Sequence, residues 1–482
     1  MSIVQRSITS VSWNVAASLA QVAVGFLRSV MLSRLLPVEV FGIYGWAGSV
    51  IALSVVVADF GMGGGFLYRA PETEDEEQAA AVYFTLKLVF ALVWAFLLMV
   101  GFMIFTRDQT RVALLVLTAT SVGSQLLQTP RLILARRVVH RRLALIQLIS
   151  LFLTSAVAVG LAWRGVTLWA LLSTDLIAVG VGIVALYVWR PVWRPRLFWS
   201  PQVVRYFLRF GSRKFLADVL MRALDRVDDL WTGAYLGETS MGLYSRAYAF
   251  AIYPRRFLAA PLNAVVGGTY AELKGDRLRL SRVFFRTNAF LVRTGFLLAG
   301  MLALVAPEFI RLGLGAKWLP MLDTFRLMLV FTLLDPIKVV VGDLFVAVGR
   351  PGKVVQARFM QLVVLVVGLF LMGSWLGITG VALAVDLMLV VGMAILLWQA
   401  RSFVDFSPRR LFVAPGLALV VGMGLAHGAT TLSWVAGSDW RTGFVKIVVF
   451  SVVYGVVMLI LERRQLYDVV RILGDQLPCR LS

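Results

Sequence analysis

Apolar stretches of about 20 residues recur along almost the whole chain, separated by short polar or basic segments. A stretch of that length crosses the hydrocarbon core of a bilayer as a helix. Fourteen are present, at about 11–33, 41–66, 80–105, 111–133, 143–163, 166–189, 205–233, 240–266, 288–308, 318–346, 354–373, 376–398, 411–428 and 441–460. The stretch at 205–233 is the least hydrophobic of them. A membrane barrel would show short alternating segments instead of these continuous runs. The pattern predicts an all-α, polytopic membrane protein with about 14 transmembrane helices. The first stretch carries Arg28 and is followed closely by a second, which argues against a cleaved signal peptide.

Composition agrees. The chain of 482 residues is 60% hydrophobic and 15% charged, with a mean hydropathy of +0.84. A soluble domain has roughly 45–50% apolar and about 25% charged residues. A lone cysteine, Cys479, excludes a disulfide scaffold. His140 and His427 are too few for a transition-metal centre, and no cofactor is expected.

The formal net charge of +21 would suggest nucleic acid in a soluble protein. Here its distribution decides. With the N-terminus in the cytoplasm, the inner segments hold 25 Lys and Arg residues and the outer loops 7. The positive-inside rule selects this orientation, with both termini and Cys479 cytoplasmic. The charge is then topological, and no nucleic-acid partner is implied. The acidic run Pro71-Glu72-Thr73-Glu74-Asp75-Glu76-Glu77 would lie on the inner side too. Acidic residues weigh little in orientation.

The inner segment 190–205 mixes prolines, aromatics and arginines, and is expected along the lipid headgroup surface. It divides the chain into a six-helix bundle (1–190), a connector (191–204), a second six-helix bundle (205–400), and two further helices with a short tail (401–482). A repeat crosses that division. Pro37-Val38-Glu39-Val40-Phe41-Gly42-Ile43-Tyr44 and Gly237-Glu238-Thr239-Ser240-Met241-Gly242-Leu243-Tyr244 are offset by 200, and Gly42/Tyr44 match Gly242/Tyr244. Gly-x-Tyr is short enough to arise by chance. Both motifs, however, sit in the outer loop before the second helix of their half. An even number of intervening spans makes the repeats parallel, a geometry associated with alternating access to a central site.

Charges inside spans are costly and face a cavity or a partner. Arg28, Lys87 and Arg293 have no acidic residue at helical spacing in their own spans. A guanidinium fork suits phosphate oxygens, so these cations are candidates for holding an anionic headgroup. The alternative for each is snorkelling near a helix end. Arg255 and Arg256 follow Pro254, which should kink the eighth span; one of the two is expected to face the cavity. In the seventh span Asp218, Arg222, Asp225 and Asp229 share a helix face. Either Arg222 locks onto Asp218 and Asp225, or the face lines a cavity. Asp175, Asp218, Arg222, Asp225 and Asp228 are candidates for gating or ion coupling. The repeat offset places Asp228 opposite Arg28, so an Arg28–Asp228 pair is expected to close the cavity. No Walker motif is present, and no outer loop bears an acid–base set, so no enzyme activity is expected.

Leu32-Ser33-Arg34-Leu35-Leu36-Pro37-Val38-Glu39-Val40-Phe41-Gly42-Ile43-Tyr44, then Ala58-Asp59-Phe60-Gly61, resembles the opening of the bacterial oligosaccharide/polysaccharide flippases of the multidrug/oligosaccharidyl-lipid/polysaccharide (MOP) exporter superfamily. Gly233-Ala234-Tyr235-Leu236-Gly237 through Tyr248, and Pro261, agree in the second half. The likeness spans about 10–460. It implies a MATE-like fold of two bundles in the bacterial inner membrane. It also implies transfer of undecaprenyl-diphosphate-linked oligosaccharide to the outer leaflet, driven by an ion gradient or the membrane potential. Polysaccharide polymerase and glycosyltransferase machinery are the implied partners beside membrane lipid. In such flippases a basic residue of the first helix holds the headgroup, and Arg28 matches it. Drug export by ion antiport, peptidoglycan-precursor flipping and a non-transporting scaffold are the alternatives.

Overall fold

The computed structural model describes residues 20–69, 76–106, 108–137, 139–431 and 438–476, and omits the side chains of 140, 256–265 and 463–476. Cys479 and the acidic residues 71–75 lie outside the described residues. All regular structure among the described residues is helical. Nine helices are long and apolar enough to cross a membrane. One of these runs, Gly352–Ala400, is interrupted at Gly377, whose φ of 60° and ψ of −139° break the helix. The Pro201–Trp231, Gly237–Ala251, Tyr253–Leu273 and Leu322–Ala347 helices fall outside this set. Leu322–Ala347 shows why: it carries Asp323, Arg326, Asp335, Lys338 and Asp343, and such groups need partners that lipid does not offer.

Large apolar side chains stand on the outside. Phe105 is 84% exposed, Trp163 81% and Trp375 89%. A water-soluble monomer does not expose so much contiguous apolar surface. Exposed tryptophans at helix ends, Trp163, Trp189 and Trp440 among them, match the interfacial aromatic belt. The protein is a multi-pass membrane protein.

Two compact units are present. The first comprises 1–246 and 358–388. Its apolar core gathers Met62, Phe66, Tyr83, Phe207 and Trp193. Trp193 packs on Phe84 with ring centroids 5.5 Å apart, which anchors the segment after the Thr167–Ile183 helix. Glu76 pairs with Arg137 at 3.2 Å and Glu77 with Arg196 at 3.7 Å. The described end of the acidic run thus meets basic segments on its own side, which offsets its charge.

The second unit comprises 247–357 and 389–482. Tyr270, Phe284, Val292, Val341, Phe345 and Leu396 form its main core. A smaller cluster of Leu304, Ala418, Phe450 and Tyr454 joins the Pro408–Ala429 and Asp439–Gln476 helices to Arg277–Phe309. Gly300 and Gly422 make that seam possible: a Cβ on either would fall within 3 Å of the Phe450 ring. Two buried or half-buried ion pairs pin the same seam, Lys446–Glu308 at 2.6 Å and Arg293–Glu462.

Candidate functional site

In the first unit the Val38–Asp59 helix packs along Pro201–Trp231, and polar groups gather in three layers along the Val38–Asp59 helix. The layer nearest Pro37 holds Tyr44, whose hydroxyl donates to Asp175 Oδ2 at 2.7 Å. Arg28 and Arg246 stand close enough to act electrostatically on this pair. Arg28 is half-buried, and its Nη1 lies 3.5 Å from Thr154 Oγ1. Arg246 covers the Phe41 ring at 4.4 Å and reaches Ser29 Oγ at 3.4 Å.

The middle layer belongs to adjacent aspartates. Tyr244 donates its hydroxyl to Asp228 Oδ2 at 2.5 Å. Ser49 donates to Asp229 Oδ2 at 2.9 Å, and Arg226 pairs with the same oxygen at 3.1 Å. Asp228 Oδ1 is buried with no hydrogen-bond partner among the described residues.

The third layer centres on Asp59, at the end of its helix. Lys87 is fully buried, with 0% exposure. It pairs with Asp59 Oδ1 and donates to Gln125 Oε1 at 3.1 Å. Arg222 donates to the Ala52 carbonyl at 3.2 Å and stands 3.9 Å from Asp59 Oδ2. Lys214 pairs with Asp218 at 3.4 Å.

Several sequence expectations change here. Lys87 is not an unpaired cation: its partner Asp59 comes from the neighbouring helix, which helical spacing cannot reveal. Arg222 pairs with neither Asp218 nor Asp225; its carboxylate neighbour is again Asp59. Asp225 is exposed. No Arg28–Asp228 pair forms, because Tyr244 holds Asp228 and Arg28 turns towards Thr154. In the second unit Arg255 pairs with Asp335 at 2.8 Å and covers the Phe331 ring at 5.4 Å, and Lys338 shares Asp335 at 2.7 Å. Arg293 pairs with Glu462. Both arginines therefore have carboxylate partners on other helices. The Arg256 side chain lies outside the described residues. The break near Pro254 is present, between Gly237–Ala251 and Tyr253–Leu273.

The sequence reading missed the tyrosines. Tyr44 and Tyr244 hold one aspartate each, and their common place in the repeated Gly-x-Tyr motif was the available signal. Outside the spans, Arg277 hydrogen-bonds Asp405 at 2.8 Å and holds its carboxyl below the usual range.

The described residues contain no cluster of three or more groups fit to hold a metal ion. The layers offer cations, buried carboxylates and hydroxyl donors, which suit recognition of an anion or displacement of an ion.

A family profile described as "Polysaccharide biosynthesis protein" matches residues 31–323. The lipopolysaccharide biosynthesis protein WzxC of Escherichia coli K12 is 23% identical over 405 residues, covering 81% of this chain and 80% of that protein. The succinoglycan biosynthesis transport protein ExoT of Rhizobium meliloti is 26% identical over 325 residues, covering 64% and 63%. Among solved structures, the lipid II flippase MurJ in an inward closed conformation superposes with a TM-score of 0.78 at 14% identity, over 95% of this chain and 100% of that one. An inward-facing multidrug resistance MATE transporter of the MOP superfamily gives 0.60 at 16% identity, over 81% and 98%. The fold is that of MurJ and the MATE transporters.

Proposed function

The chain belongs to the polysaccharide biosynthesis protein family, and from that premise we propose that it is a flippase for lipid-linked oligosaccharide. It would carry a polyprenyl-diphosphate-linked unit from the cytoplasmic to the outer leaflet for surface polysaccharide synthesis. Relatives named for lipopolysaccharide, succinoglycan and teichuronic acid biosynthesis support this reading over drug antiport or a scaffold. The observation that carries it is Arg28. In the predominantly apolar stretch 22–32 this arginine forms no ion pair with any described residue, and it sits beside the Tyr44–Asp175 pair. A cation with that surplus charge has an energetic reason to exist when an anionic headgroup neutralises it.

Fourteen crossings would arise if Gly352–Ala400 crosses twice and if the N-terminal helix carrying Arg28 and the polar helices over 201–231, 237–273 and 322–347 also span, with their charges turned inwards. Parallel halves, 1–190 and 205–400, are supported by reciprocal contacts between the two Gly-x-Tyr motifs. The 191–204 connector, both termini and the basic loops would face the cytoplasm, and the residues after 401 would form an added helix pair. Undecaprenyl is the expected carrier, with polymerase and glycosyltransferases as expected neighbours. Asp175 and Asp228 would couple an ion or the membrane potential to the cycle. Of the second-unit cations, Arg255 and Arg293 would contribute only after leaving Asp335 and Glu462.

The test is leaflet exposure of a labelled polyprenyl-diphosphate oligosaccharide in vesicles holding the purified protein. Transfer dependent on the protein is expected. No transfer with several sugar types and ion gradients would overturn the reading.

A further inference from the structure

Beneath the third layer, within the first unit, lies a pocket of about 190 Å³. That is well under the ~300–1,000 Å³ of ordinary small-molecule sites, so it admits only a compact group. Gly61, Gly63, Gly64, Gln128, Arg131 and Lys214 line it. The wall is glycine for a structural reason. Phe60 and Gly61 both take left-handed backbone, with φ of 46° and 63°. The chain thereby turns sharply out of the Val38–Asp59 helix, and glycine lets it approach the next helix: a Cβ on Gly61 would stand 3.3 Å from Lys214 Cβ and one on Gly64 3.1 Å from the Phe210 ring.

The polar groups around this wall point to an anion. Arg131 is exposed, and its side chain makes no hydrogen bond or ion pair with any described residue. Lys214 retains 54% exposure despite its contact with Asp218. The Gln128 oxygen accepts the Tyr83 hydroxyl at 3.1 Å, which turns its amide N–H group away from that contact as a donor. Asp59 also touches the pocket, but Lys87 and Arg222 already face its carboxylate. Of the charged groups that line the pocket, the cations Arg131 and Lys214 thus stand beside one carboxylate, Asp59, which Lys87 and Arg222 already offset. Neither Arg131 nor Gln128 belonged to the charge pattern that drew attention in the sequence.

We propose that this pocket is a subsite for a phosphate or diphosphate group, in which Arg131 supplies the bidentate fork, Lys214 a point charge and Gln128 a neutral donor. As a loading-side site for a lipid diphosphate it rests on the flippase reading; as a phosphate site it does not. Free phosphate and a lipid headgroup present the same chemistry.

The experiment measures binding of inorganic pyrophosphate and of farnesyl diphosphate to the full chain in lipid nanodiscs. Each of Arg131→Gln and Lys214→Gln is expected to weaken binding by roughly tenfold or more, as loss of a charge-assisted contact does. Arg131→Lys should fall between, and it serves if the glutamine variant accumulates poorly. Arg350→Gln, which removes a cation outside the pocket's lining, should bind as wild type. Tighter binding of farnesyl diphosphate identifies a lipid source; equal binding identifies the free anion. Wild-type affinity in both glutamine variants, or no binding of either probe to wild type, overturns the subsite. Vesicle transport separates the two readings. Loss of binding in the variants with no oligosaccharide transfer by wild type sinks the flippase and keeps the subsite. Transfer by wild type with unaltered binding in both variants does the reverse.

Discussion

The backbone of Glu238 occupies the space where a side chain on Gly42 would begin. A Cβ at Gly42 would stand 1.8 Å from the Glu238 carbonyl oxygen, and a Cβ at Gly242 would stand 2.1 Å from that of Val38. With the 200-residue offset, the second contact is the first with the roles exchanged. Glu39 and Thr239, equivalent positions, meet each other at 3.3 Å. The two helices cross here with backbone against backbone, and only hydrogen fits between them.

Gly42→Ala and Gly242→Ala should therefore each be destabilising, because the obstructing atom is backbone and cannot rotate aside. Overpacking of this kind costs about 1–3 kcal/mol. Thermal unfolding of each purified variant measures it, with Gly48→Ala, where a Cβ meets nothing within 4 Å, as the neutral comparison. Equal melting temperatures for all three would refute the close approach.

Tyr244→Phe should harm the protein more than Tyr44→Phe. Asp228 Oδ1 already lacks a partner, so removing the Tyr244 hydroxyl leaves both oxygens of a buried carboxylate unsatisfied. The expected cost is about 1–3 kcal/mol. Asp175 retains Arg28 nearby and should tolerate its loss better. Adding Asp228→Asn to Tyr244→Phe should recover part of the stability, since the amide carries no charge to compensate.

Lys87 separates a folding role from a binding role. Breaking a buried ion pair by removing one partner costs about 3–5 kcal/mol. Lys87→Met should reduce the amount of protein in the membrane, and Lys87→Met with Asp59→Asn should restore it. Normal accumulation of Lys87→Met with lost headgroup affinity would contradict this assignment and favour a direct contact.

Arg28→Ala should abolish transport while inserting normally, and Arg28→Lys should retain part of it, keeping the charge but losing the fork. Surface polysaccharide in a complemented deletion strain, read beside membrane protein level, gives the answer. Full output from a normally expressed Arg28→Ala would remove its role.

Much was legible without coordinates. Continuous apolar runs forced a helical membrane protein, because backbone polar groups in lipid must be satisfied within the segment. The runs Leu32–Tyr44, Ala58–Gly61 and Gly233–Tyr248, in their order along the chain, pointed to the family. Residue identity at a fixed spacing carries that information. Partnership across helices is different. Lys87 looked unpaired because Asp59 lies 28 positions away; Arg293 looked unpaired because Glu462 lies 169 away. Arg28 and Asp228, matched by the repeat, took other partners. Arg131 and Gln128 drew no attention until a left-handed turn at Phe60 and Gly61 opened a pocket beside them. Helix periodicity reports which residues share a face, but the charge a face meets depends on which helix packs against it and at what height, and only the tertiary structure decides that.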